Sequence, residues 1–142
     1  IAYQNCFNKS DSEDITQEVF IKLLENMDRV KDDEGYLKAW LIRVTVNLCK
    51  DYNKSSWYKR VKGFDGNELE IPWEMEELGL WEELSRLKPV YRNIIYLYYY
   101  EGYKIHEIAG ILNLRENTVS SNLNRARKQL KTILEGEGRV YV

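Results

Sequence analysis

The chain has 142 residues, enough for one ordinary domain or two small ones, and 44% of them are hydrophobic, sufficient for a core. No apolar run is long enough to cross a bilayer and no signal-peptide pattern is present, so membrane insertion is not expected and a cytoplasmic location is. The net charge of −2 divides unevenly along the chain. Residues 1–28 hold two bases against six acids, 29–62 nine against four, 63–87 one against eight, and 88–142 nine against five. Two basic blocks separated by an acidic one suit a chain that touches a polyanion at two places, although charge blocks alone are usually solvated surface.

Helical periodicity dominates. Ser10 with Glu13 offers a capping box for a helix running to about Arg29, with apolar positions Ile15, Val19, Phe20, Leu24 and Met27. An acid-rich break ending at Gly35 precedes a second helix from about Tyr36 to Tyr58. One of its faces is expected to bury Leu37, Trp40, Leu41, Val44, Leu48 and Tyr52, while Arg43, Asn47, Lys50, Asp51 and Lys54 form a polar stripe. Gly63, Gly66 and Pro72 interrupt the pattern, and residues 61–76 read as a flexible acidic interdomain linker. A short helix follows over Glu77–Leu87, using Leu80, Trp81, Leu84 and Leu87. Pro89 opens another at its first turn, where a missing N–H costs little. That helix packs Val90, Tyr91, Ile94, Ile95 and Tyr98 and ends near Gly102. No β-strand pattern is convincing. The expectation is an all-α chain of two small helical domains, 1–60 and 77–135, with a tail at 136–142.

The strongest local signal lies between Lys104 and Lys131. Ile105, Ile108, Ala109 and Leu112 share one face of a first helix. Asn113 tolerates the left-handed conformation that ends a helix sharply, and Leu114 supplies the apolar residue that pins the turn. Asn117 is a plausible N-cap of the next helix, with Glu116 its main competitor. That helix buries Val119, Leu123, Ala126 and Leu130, and small Ala109 lets the two helices cross closely. This is helix-turn-helix spacing. The outward face carries Ser120, Ser121, Asn124, Arg125 and Lys128, beyond a start holding Arg115, Asn117 and Thr118. Hydroxyls, an amide and a guanidinium can bond base edges or phosphates in a major groove, and a helix N-terminus suits a phosphate. Five bases against the single Glu116 between Arg115 and Lys131 favour DNA over an ordinary helix pair.

Other chemistries find little support. Cys6 and Cys49 match no metal spacing and read as small buried hydrophobes; the single His106 reads as a surface residue. With no nucleophile–base pair, phosphate loop or metal cluster in the sequence, neither an enzyme nor a cofactor is expected.

Two separated stretches carry a family resemblance. Glu13 through Phe20, followed by Leu37 through Val44 and Asn47, resembles region two of bacterial sigma factors of the extracytoplasmic-function class (group IV). Leu87 through Arg127, including Tyr99-Tyr100-Glu101-Gly102, Glu107-Ile108-Ala109 and Thr118-Val119, resembles region four. The resemblance implies a promoter-specificity subunit that binds core RNA polymerase through the β′ clamp helices and the β flap, reads two promoter elements and assists melting. It implies that Asp14, Gln17 and Glu18 dock on the clamp helices. It places Tyr36, Lys38, Arg43, Asn47, Lys50 and Asp51 at the minus-ten element, where phosphate contacts and a base pocket hold the strand open. Ser120, Ser121, Asn124 and Arg125 map to positions that touch the minus-thirty-five element, although the commoner pattern often has a base where Ser120 and Asn122 stand. An anti-sigma partner is implied as well. The family has one more helix before Asn8–Asp11, and the chain is expected to begin within it. The alternatives are a stand-alone helix-turn-helix regulator, whose N-terminal helices dimerise or sense, and a decoy that binds polymerase without reading DNA.

Overall fold

The computed structural model describes residues 1–61 and 80–136, which form helices without a strand among them. Most of the expected linker and the end of the C-terminal tail lie outside the described residues. The chain divides into two units, Ile1–Glu70 and Ile71–Val142.

The first unit contains α1 (Ala2–Cys6), α2 (Lys9–Glu25) and α3 (Glu34–Val61). Phe7 ends α1 in the left-handed region, at φ 52°, with its N–H on the Tyr3 carbonyl. Asn8 then swings to an extended conformation, and its side-chain oxygen accepts the Asp11 N–H at 2.9 Å. Asn8 therefore caps α2. Ser10 already lies within the first turn, so the expected capping box with Glu13 is not the start of the helix. The other end also comes early, because the Asn26 side chain donates to the Lys22 carbonyl at 2.7 Å and the helix stops at Glu25, short of Arg29. Asp33 starts α3 by accepting the Tyr36 N–H at 2.8 Å, two residues before the sequence places that helix.

Both α1 and α2 pack on α3. The core joins Ala2 and Cys6 of α1, Ile15 and Val19 of α2, and Cys49 of α3, with Leu41, Val44, Leu48 and Tyr52 half-buried around them. Among the described side chains of α3, the buried ones are Ile42, Val46 and Cys49, beside the expected apolar face rather than on it. Two helices cover a wider arc of α3 than the single face that periodicity marks. Conversely, the apolar arc of α2 exceeds the surface that its neighbours cover: Phe20 and Leu24 are 54% and 69% exposed, and Met27, in the turn just beyond the helix, is 62% exposed. The Tyr52 hydroxyl donates to the Asp11 carboxylate at 2.5 Å and ties α3 to the first turn of α2. The two thiols are unoxidised and buried; the hydrogen bond to Cys49, then burial, pushes the Cys6 thiol well above its ordinary range.

The second unit contains α4 (Trp81–Ser85), α5 (Pro89–Ile95), a π-helical turn over Tyr96–Tyr100, α6 (Ile105–Leu112) and α7 (Glu116–Gly136). Pro89 occupies the first turn of α5, as expected. The π turn continues α5 with a wider winding, shown by the Glu101 N–H bonding back to the Tyr96 carbonyl at 3.1 Å. Gly102, at φ 74°, then reverses the chain where a side chain would be strained. The long α7 runs against α4, α5 and α6, and Leu87, Tyr91 and Ala126 meet beneath Leu84, Val90, Ile95 and Ile133. Arg92 is buried at the α4–α5 junction, where it donates to the carbonyls of Leu87 at 2.6 Å and Ser85 at 3.1 Å. Burial lowers its pKa to about 10, so the guanidinium still carries its charge at neutral pH.

Arg92→Ala leaves those carbonyls without their charged donor inside the unit. It should lower stability by about 2–3 kcal/mol, read as a shift of the denaturant midpoint. A shift below about 0.5 kcal/mol would show that the junction does not depend on this bond.

Candidate nucleic-acid interface

The turn between α6 and α7 sets the geometry of the second unit's exposed face. The Lys104 N–H at the start of α6 donates to the Glu107 carboxylate at 2.7 Å, half of a capping box. At the far end Asn113 is left-handed, φ 53° and ψ 49°, as its residue type suggests. The N–H groups of Asn113 and Leu114 both donate to the Ala109 carbonyl. Helix α7 begins at Glu116, so neither Asn117 nor Glu116 is the N-cap; both lie in the first turn, and Arg115 occupies the position before it. The Val119 N–H bonds to the Arg115 carbonyl at 3.0 Å, which draws that residue into the helix start.

Ile108, Val119 and Ala126 are fully buried, and Ala109, Leu112 and Leu123 nearly so. Ile111, absent from the expected face, is buried as well, whereas Ile105 and Leu130 are only half-covered. This packing leaves Arg115, Asn117, Thr118, Ser121, Asn124, Arg125 and Lys128 exposed and Ser120 half-exposed. Among the described residues, no hydrogen bond or ion pair engages the Arg125 side chain. Arg127, one turn along from Asn124, is held instead. Its Nε–H donates to the Tyr99 hydroxyl at 2.6 Å, and its guanidinium lies 5.4 Å from the ring centres of both Tyr98 and Tyr99. Periodicity alone does not single out this cluster, because the π turn sets where those rings point.

In the first unit, α3 presents a second polar face. At about 100° per residue, Tyr36, Arg43, Asn47, Lys50, Asp51 and Lys54 fall within one arc, and all are exposed. Lys31 extends that arc, with Nζ 5.5 Å above the Tyr36 ring. Lys38 does not join them. It is exposed but shares the side of α3 that carries Ile42 and Cys49 further along, near the opposite pole of the helix. On α2, Asp14, Gln17 and Glu18 are exposed and share one face by their three- and four-residue spacing. That face continues into Ile21 and Leu24, 54% and 69% exposed.

His106 is exposed. Among the described residues no group of three or more metal-binding side chains comes together, and no helix is long and apolar enough to cross a membrane. A shallow cavity of about 430 Å³ lies against Tyr3, Ser12, Thr16 and Gln17, away from the polar arc of α3.

Comparison with known proteins agrees with this architecture. The family Sigma-70 region 2 matches residues 1–62, and Sigma-70, region 4 matches residues 78–130. The ECF RNA polymerase sigma factor SigE of Mycolicibacterium smegmatis is 32% identical, the match covering 94% of this chain and 56% of that protein. The RNA polymerase sigma factor SigV of Bacillus subtilis is 30% identical over 96% of this chain and 84% of its own length. The chain thus spans little more than half of the first relative and most of the second. Among solved structures, the sigma factor RpoE from Bartonella quintana, crystallised with the anti-sigma factor NepR, has the same fold. The TM-score is 0.78 at 21% identity, covering 94% of this chain and 87% of that one. Two region matches in order, with relatives of this identity and coverage, place the chain in the family of bacterial RNA polymerase sigma factors of the extracytoplasmic-function class.

Proposed function

We infer that this chain acts as a promoter-specificity subunit of RNA polymerase, reading minus-thirty-five and minus-ten elements and assisting promoter melting. The observation that carries this reading is the pairing of two exposed polar faces on separate units, α7 in a helix-turn-helix and the Tyr36–Lys54 arc of α3, in the order of sigma regions two and four.

Helix α7 enters the major groove of the upstream element, where Ser120, Ser121, Asn124 and Arg125 meet base edges. Arg115, Asn117, Thr118 and Lys128 meet phosphates. On α3, Arg43, Lys50 and Lys54 hold the backbone of the opened minus-ten strand. Tyr36 offers a stacking ring, and the Asp51 carboxylate and Asn47 amide offer partners for an unpaired base. Lys38 serves at most a neighbouring phosphate, since it leaves the arc. Asp14, Gln17 and Glu18 dock on the β′ clamp helices, with Ile21 and Leu24 supplying the apolar contact that an all-polar patch would lack. The second unit meets the β flap. Two small modules on one tether bind DNA weakly unless ordered together, and polymerase supplies that order. None of these roles involves catalysis by this chain, and the work is done in the cytoplasm, where polymerase and promoter are. An anti-sigma factor such as the one bound to the Bartonella relative would regulate it by covering one of these faces. A stand-alone regulator is disfavoured by family membership.

Run-off transcription with core polymerase on a randomised promoter library should select two conserved elements, whereas the protein without core should select none. Arg125→Ala should reduce initiation by about 1–3 kcal/mol and relax preference at one upstream base pair. Selection of a single palindrome by the free protein would refute the sigma assignment.

Replacing both Gln17 and Glu18 by alanine should weaken association with core polymerase at least tenfold without changing the melting of the protein. Undiminished co-purification with core would remove these residues from the docking face.

A further inference from the structure

Asn124 and Arg127 lie three residues apart on α7 and meet on its exposed side, where Arg127 Nη1 donates to the Asn124 side-chain oxygen at 3.4 Å. An exposed arginine normally samples many rotamers, but this one is fixed by the Tyr99 hydroxyl and by the faces of Tyr98 and Tyr99. The π turn brings both rings to it. The two tyrosines are themselves locked edge to face, with ring centres 4.9 Å apart. A guanidinium has five donors and no acceptor, so the amide atom turned toward it must be the oxygen. The Asn124 NH₂ group is then left to other partners.

This has a consequence for base reading. An unrestrained asparagine pairs with adenine in two ways at once, accepting from N6–H and donating to N7. With one lone pair of its oxygen engaged by a cation, Asn124 offers its two NH₂ donors ahead of the single acceptor site that remains. We propose that Arg127, held by Tyr98 and Tyr99, is a specificity-determining residue that turns Asn124 into a donor for an acceptor-only base edge. Guanine, with N7 and O6, comes first and thymine O4 second. Arg127 thus acts through Asn124 and is a positioning residue. The inference rests on α7 reading the upstream element.

The test is run-off selection with core polymerase and full-length protein, on a library randomised over the upstream element. Wild type should prefer guanine at the one base pair whose preference is erased by Asn124→Ala. Arg127→Ala should shift that position toward adenine by about tenfold while leaving other positions unchanged. Tyr99→Phe, which removes one anchor, should shift it part of the way. A uniform loss of initiation at every base, or an adenine preference already present in wild type, would overturn the proposal, as would an unshifted Arg127→Ala. Failure of wild type to select any promoter would instead overturn the sigma reading, and this inference with it. In the free protein, the Arg127 Nε–H should exchange slowly with solvent and lose that protection in Tyr99→Phe. Equal exchange in both would show that the arginine is not held.

Discussion

Two N–H groups, those of Asn113 and Leu114, converge on the carbonyl of Ala109, and the whole exposed face of the second unit follows from that convergence. A left-handed residue at this point reverses the chain within three residues. Helix α7 then packs on α6, with Ile108 and Val119 fully buried and Ala109 nearly so. Once Val119, Leu123 and Ala126 are turned inward, the period of the helix leaves Ser121, Asn124, Arg125 and Lys128 no choice but to face outward. The turn thus fixes which side chains of α7 face outward.

The first unit reaches a similar result by another route. Here α1 and α2 together cover a broad arc of α3, and the hydroxyl of Tyr52 locks α3 to the head of α2 through Asp11. The opposite arc, from Tyr36 to Lys54, is left to solvent with three basic residues, a ring, an amide and a carboxylate in line. Helix α2 meanwhile keeps more apolar surface than its partners cover. An uncovered apolar stretch beside Asp14, Gln17 and Glu18 is costly in an isolated protein and useful in one that works only when docked on a larger enzyme.

Much of this is legible in the sequence, because period and turn chemistry are local. The left-handed Asn113, the proline that opens α5, the inward Val119, Leu123 and Ala126, and the polar stripe of α3 all follow from neighbours within one or two turns. What is not legible depends on residues distant in sequence or on subtle winding. Capping by Asn8 rather than Ser10 depends on how the chain leaves α1. The burial of Ile42, Val46 and Cys49 needs knowledge that two helices cover α3, and the exposure of Phe20, Leu24 and Met27 needs knowledge of where that cover stops. Lys38, which the family resemblance sets with the minus-ten residues, lies off the polar stripe once α3 is wound. The hold on Arg127 depends on a π turn, which period analysis at 3.6 residues does not register.

The central claim is that two separate faces of one chain meet two separate promoter elements, and only in the polymerase complex. Cys6 and Cys49 are buried, so a single cysteine placed on an exposed helix position can be labelled selectively. An iron chelate attached through Ser121→Cys, and in a second protein through Lys50→Cys, would cut DNA near each side chain. The account predicts cleavage at the minus-thirty-five element from the first and at the minus-ten element from the second, both dependent on core polymerase. Cleavage of one shared element by both proteins, or the same pattern without polymerase, would contradict it.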